Sequence, residues 1–230
     1  MNPQLYGIEH ILYIIISTII CSAMLILAKR YAKSEKTQAI ALKSIAILLL
    51  LSILTNRLSQ VFRYDNVRWY QIIPDSFCGM TSLVLAIGVL FGKKDNCILH
   101  FTWLLGLFGG ISTIAYASFI GQGSSIFYLP TISGLLHHSL SATLVIALLM
   151  FKQIYITYKK WYCTIFGFTA YLTVGAFLMH TFDLSDAFHI AEPLLSNTKL
   201  TAWVMAPMYL SAYALILLLI EVARKKKWIN

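Results

Sequence analysis

Seven apolar runs, each nearly free of charge, constrain this chain more than any other feature. About 20 apolar residues in a helix cover the hydrocarbon core of a bilayer. Only a helix or a closed barrel satisfies its own backbone hydrogen bonds there. The runs predict helices at Ile8–Ala28, Ala39–Leu54, Ile72–Phe91, Cys97–Phe119, Thr131–Phe151, Trp161–Thr181 and Thr201–Val222. Charged residues make up 12% of the 230, about half the share in a soluble domain. No soluble segment of domain size lies between the runs. The expected fold class is all-α: a polytopic membrane protein, one integral domain over residues 1–230. No Lys or Arg precedes the first run, and no small-x-small cleavage site follows it, so it is expected to stay as a membrane helix.

A net charge of +9 raises the question of nucleic acid, and its placement answers it. The basic residues sit at helix ends, where they orient the chain and meet anionic headgroups. One set of ends carries fourteen: Lys29, Arg30, Lys33, Lys36, Lys43, Lys93, Lys94, Lys152, Lys159, Lys160, Arg224, Lys225, Lys226 and Lys227. The opposite set carries four: Arg57, Arg63, Arg68 and Lys199. Basic loops stay inside, which predicts a multi-pass protein of the cell membrane with its N-terminus outside and its C-terminus cytoplasmic. Glu9, Asp65, Asp75, Asp183, Asp186 and Glu192 lean to the outer side. Trp69, Trp161, Trp203 and Trp228 fit an aromatic belt. Membrane phospholipids are the expected partners and nucleic acid is not; no cofactor is called for.

Ionisable groups within a bilayer are costly and face a bundle interior or a cavity. Here they gather in the outer half. Cys78 lies about six residues into the third run, and His137 and His138 about six or seven into the fifth. At ~1.5 Å per residue both are ~9–10 Å deep. Asp75, Cys78, Gly79, Ser82 and Ala86 form one stripe at helical spacing, and Gly134, His137, His138, Ser141 and Val145 another. A third runs through His10, Tyr13, Ser17 and Cys21. Stripes of small and polar residues also serve plain helix packing. Of the four cysteines, Cys97 and Cys163 fall at the opposite ends and Cys21 in the inner half, so Cys78 lacks a disulfide partner. A thiol beside an imidazole is the minimum for acyl transfer through a thioester.

The start Gly7-Ile8-Glu9-His10, Arg57, the stretch Pro74-Asp75-Ser76-Phe77-Cys78, the pair His137-His138, the segment from Asp186 to Pro193, Trp203 and the basic tail together resemble the YwaF-type integral membrane proteins. Those are similar to eukaryotic membrane acyltransferases that remodel ether phospholipids. A more distant resemblance is to androgen-induced membrane hydrolases of fatty-acid esters. Where many members carry a His inside the Pro-x-x-x-Cys stretch, this chain has Ser76. The resemblance implies lipid acyl transfer with Cys78 as nucleophile and His137 or His138 as base. Arg57 would hold a lipid phosphate, with Asp75 beside it, and Glu9 and His10 would orient the base. Each has a plainer reading: Arg57 as an interfacial anchor, Glu9 and His10 as caps of the first helix.

Two other classes compete. A zinc lipid hydrolase would draw ligands from His10, His137, His180 and Asp183, although no His-x-x-x-His or Cys-x-x-Cys spacing supports it. A transporter or membrane assembly factor would also carry intramembrane polar groups, with Pro74 and Pro207 breaking helices. His189 lies in the outer loop, which is expected to be an ordered connection or a lid.

Overall fold

The helix boundaries follow from a few capping residues. The computed structural model describes residues 6–63, 67–117, 125–195 and 197–226; Asp65, Phe119, Lys227 and Trp228 lie outside these. Among the described residues there are seven α-helices: α1 Ile8–Tyr31, α2 Glu35–Val61, α3 Phe77–Phe91, α4 Cys97–Ala115, α5 Leu129–Met150, α6 Tyr162–Phe182 and α7 Ala202–Lys225. Ser34 opens α2 with a capping box, its hydroxyl accepting from the Thr37 N–H while Thr37 reaches back. Asn96 caps α4 by accepting from the Leu99 N–H, and its amide also donates to the Gly88 carbonyl at the end of α3. Pro130 starts α5, where a missing N–H costs nothing. Six of the helices are long and apolar enough to cross a membrane. The chain is a polytopic helical membrane protein.

The third helix departs from expectation. Helical pattern was expected from Ile72, but the chain makes only a 3₁₀ turn at Trp69–Ile72, then an extended stretch, and α3 begins at Phe77. Two residues decide this. Pro74 forces its predecessor Ile73 into extended backbone (φ −82°, ψ 124°). Ser76 then caps the helix, its hydroxyl accepting from the Gly79 N–H at 3.2 Å. At 15 residues α3 is too short to span the bilayer alone. The second helix errs the other way: it runs on to Val61, so Asn56 and Arg57 are part of it rather than after it. Pro207 does not break α7, which continues through it to Lys225.

Consecutive helices are antiparallel, so the starts of α2, α4 and α6 share the lysine-rich end with the ends of α1, α3, α5 and α7. Within the span, 72% of α5 is buried, against 6% of α1 and 11% of α7. The fifth helix is therefore the axis, with α2 and α4 packed along it and α1 and α7 outside. Gly106 and Gly110 of α4 permit the closest of these approaches. A Cβ at Gly110 would stand 2.6 Å from the His138 carbonyl oxygen and 2.9 Å from the Ala142 Cβ. Small residues at such a spacing let membrane helices touch backbone to backbone.

Each end has its own fastening. At the lysine-rich end, Asp95 gathers three elements: its carboxylate accepts from His100 Nε2 (2.7 Å), the Tyr155 N–H (2.8 Å) and the Lys160 ammonium. Beside it a disulfide joins Cys97 of α4 to Cys163 of α6. Burial alone would raise the Asp95 carboxyl, but these three donors outweigh it and hold the group below its ordinary value. At the opposite end the loop between α6 and α7 is an ordered plug. Phe188 and Ala187 are each 1% exposed, and Phe188 packs edge-on against Phe77. The Phe188 N–H donates to the Asp75 carbonyl at 2.6 Å, and the Ala202 N–H to that of His189 at 2.6 Å.

Candidate functional site

A cavity of about 520 Å³ opens where α2, α3, α4, α5 and the α6–α7 loop converge away from the lysine-rich end. Arg57, Cys78, His137, His138 and His189 all line it. These are five of the polar residues that the sequence singles out. They come from four helices or loops, so the fold gathers what the chain disperses.

Cys78 is the second residue of α3, and its neighbours are fixed on both sides. Phe77 is locked among Phe168, Tyr171 and Phe188, at ring-centroid distances of 5.6, 6.2 and 5.4 Å. The thiol faces the Thr113 hydroxyl on α4. It also lies against Gly109, where an added Cβ would stand 3.1 Å from the sulfur. Its depth is not six residues into a helix, as counting from Ile72 suggests, because the helix starts five residues later. The thiol reaches the level of the histidines because the whole start of α3 is set into the bundle.

The two histidines have different partners. Nδ1 of His137 pairs with the Ser82 hydroxyl at 3.1 Å, one turn below Cys78 on the same face of α3. The ring of His138 lies beside the backbone carbonyl of Gly109 on α4. The two rings pack at 4.2 Å between centroids, tilted by 32°. Gly109 thus neighbours both groups: a Cβ there would meet the sulfur, and its carbonyl lies beside the imidazole.

Arg57 is held at the cavity rim. Its Nη1 donates to Asp75 Oδ1 at 3.1 Å, and Nη2 and Nε donate to Asn56 Oδ1 at 2.9 and 3.3 Å. Asn56 is itself buried and donates to the Pro130 carbonyl at the start of α5, 3.0 Å away. The guanidinium has five N–H donors, so this clamp orients it without exhausting it. Asp75 does not line the cavity; it braces Arg57 and receives the Phe188 amide.

Glu9 and His10 are placed elsewhere. Glu9 accepts from the Ile126 N–H at 2.8 Å, and Nε2 of His10 bonds the Ile114 carbonyl at 2.8 Å. They tie α1 to the end of α4 and the start of α5 and are not part of the cavity lining. Nor do His10, His137, His180 and Asp183 assemble as a metal site: among the described residues no three His, Cys, Asp or Glu side chains converge. Cys21 is a free thiol on α1, outside the lining.

Gly109, Thr113 and Tyr209 line the cavity and went unread in the sequence. The Gly106-x-x-Gly109-Gly110 spacing was a usable signal, since closely spaced glycines in a membrane helix mark where another backbone or a polar group comes near.

Fold and site together define a multi-pass membrane protein with a cavity between its helices lined by one thiol, two adjacent imidazoles and a third from the α6–α7 loop. The TMEM164 family model matches residues 5–225, nearly the whole chain. The chain belongs to the TMEM164 family, a family of membrane proteins. No curated protein and no solved structure matches it.

Proposed function

We propose that the protein transfers acyl chains between membrane phospholipids through a thioester on Cys78, with His138 as the base. The observation that carries this reading is the arrangement around Gly109. The same glycine packs against the sulfur and brings its carbonyl beside the His138 ring, so thiol and imidazole share one wall of the cavity. His137, paired with Ser82, packs its ring against that of His138.

The step balances without a cofactor. Sγ of Cys78 attacks the ester carbonyl carbon of a phospholipid, and the thiol proton passes to a ring nitrogen of His138. Negative charge builds on the carbonyl oxygen. Phe77 and Cys78 open α3, and the N–H groups of a helix's first turn have no acceptor within the helix, so they face that oxyanion together with the Thr113 hydroxyl. The Ser76 cap takes the Gly79 N–H and leaves these two. The ester C–O bond then breaks, and the lysophospholipid alkoxide leaves with the proton from His138. A hydroxyl of a second lysophospholipid attacks the thioester by the reverse path and restores the thiol. Arg57, aimed by Asp75 and Asn56, engages the lipid phosphate through its remaining donors.

The test is intact-protein mass after incubation with a chain-labelled phospholipid. A hydroxylamine-labile acyl adduct is expected on the wild type and not on Cys78→Ala, with transfer lost in parallel. Cys21→Ala should leave both unchanged. An adduct that persists in Cys78→Ala refutes the assignment.

A further inference from the structure

A second and larger cleft, about 940 Å³, lies at the lysine-rich end between α6, α7 and the Tyr155–Lys159 segment. Nothing in the proposed chemistry uses it. Its floor is apolar, made by Ile165, Leu210, Leu217 and Leu218, and its rim carries Lys159 and Lys225. Tyr158 and Trp161 flank it, 54% and 55% exposed, which is the aromatic signature of a headgroup zone.

The charge at the rim is unbalanced. Glu221 also lines the cleft, but it accepts from Arg224 Nη1 at 3.3 Å. The same nitrogen donates to the Ile156 carbonyl at 2.7 Å, and the guanidinium lies 4.2 Å over the Tyr155 ring. Acid and arginine neutralise each other and build the wall. Lys160 is engaged by Asp95 and turned from the cleft. Lys159 and Lys225 therefore leave two positive charges above an apolar trough.

We propose that this cleft binds an anionic phospholipid of the leaflet at the lysine-rich end, its phosphate between Lys159 and Lys225 and an acyl chain along Leu210, Leu217 and Leu218. The inference does not rest on the thioester chemistry. A phosphate alone would satisfy the lysines but leave the trough empty, and a neutral lipid would fill the trough but leave the lysines unpaired. Basic pockets between membrane helices select lipid headgroups by this combination. The cleft borders the outer cavity through an aromatic ladder: Phe168 packs on Tyr209 at 5.1 Å, and Tyr209 stacks on Tyr213 at 6.2 Å and 10°. Tyr209 lines the cavity and Tyr213 the cleft.

The experiment is native mass spectrometry of the purified full chain titrated with dioleoyl phosphatidylglycerol or dioleoyl phosphatidylcholine. The wild type should retain the anionic lipid preferentially. Each lysine near an anionic headgroup is worth roughly fivefold in affinity, so Lys159→Gln with Lys225→Gln should lose most of that preference. Lys93→Gln with Lys94→Gln, at the same end between α3 and α4, should keep it within about twofold. Should the first pair fail to fold, Leu218→Trp fills the trough with the lysines in place and should lower retention of the anionic lipid. Glycerol 3-phosphate, which has the phosphate without the chains, should not compete. Equal loss in the Lys93/Lys94 control, displacement by glycerol 3-phosphate, or full preference in the cleft variants would each overturn the proposal.

Discussion

Gly109 and Gly110 are neighbours on α4, and adding one methyl group to each should have opposite consequences. At Gly110 the new Cβ would meet the His138 carbonyl oxygen at 2.6 Å and the Ala142 nitrogen at 3.2 Å. Ordinary contact begins at 3.4 Å, so α4 and α5 must separate by about 0.8 Å (3.4 − 2.6). Backbone cannot rotate away as a side chain can, which places Gly110→Ala at the upper end of the ~1–3 kcal/mol range for overpacking. Helix propensity returns just under ~1 kcal/mol. The net loss is about 2 kcal/mol, or a fall in Tm of roughly 4–8 °C for a chain of this size. At Gly109 the new Cβ would meet, among the described residues, just the Cys78 sulfur at 3.1 Å, a shortfall of about 0.3 Å (3.4 − 3.1). The thiol can give that much by turning, so Gly109→Ala should keep or raise Tm. Its effect should fall on the sulfur instead, as slower alkylation by a small maleimide in a Cys21→Ala background. Thermal unfolding in detergent and labelling rates measure both. Gly110→Ala as stable as wild type, or Gly109→Ala with unaltered Cys78 labelling, would refute the packing argument.

Two further outcomes concern the lysine-rich end. Asp95 is held below its ordinary value of 3.8 in the native state, so the unfolded chain binds the proton more readily. Its contribution is complete above that ordinary value and is lost as the pH falls through the lower native one. Asp95→Asn should lower Tm at neutral pH and flatten the acid side of the Tm profile; an acid limb as steep as that of the wild type would count against it. The Cys97–Cys163 bond tests orientation. The lysine asymmetry predicts a cytoplasmic location for this end, where disulfides do not persist, whereas the structure joins the two cysteines. Alkylation after acid quenching of whole cells should then find both as free thiols, the bond forming on exposure to oxidant; recovery of the pair already bonded would reverse the expected orientation.

The spans were legible because hydropathy is a sum over many residues and tolerates local error. The start of α3 was not, because Ile72 and Ile73 extend the apolar run while Pro74 and Ser76 delay the helix to Phe77. Here two local residues override the average. Ser76, inside the Pro-x-x-x-Cys stretch, proves to be the cap. Cys78, His137, His138 and Arg57 stood out as polar groups at membrane depth. Thr113 and Gly109 did not, since a threonine and a glycine within an apolar run carry no cost that would mark them. Glu9 and His10 were legible as polar but not as tethers to Ile126 and Ile114, because those contacts span more than a hundred residues of chain. The same holds for Cys97 and Cys163, whose pairing depends on α4 and α6 starting side by side.

The brevity of α3 ties the site to the thickness of the membrane. Fifteen residues rise only about 22 Å, against a hydrocarbon core of about 30 Å. With Phe91 at one surface, Phe77 and Cys78 hang about 8 Å beneath the other (30 − 22). The ester carbonyls of a phospholipid mark that upper surface, so the proposed substrate would meet the sulfur only where the lipid sinks or the bilayer thins around the protein. Both adjustments grow more costly with every ångström of mismatch. Short-chain bilayers bring the ester plane down to the thiol; long-chain bilayers lift it away. Under the proposed transfer, chain length would act on this site twice, as a property of the lipid that reacts and as the ruler that sets how far it must travel.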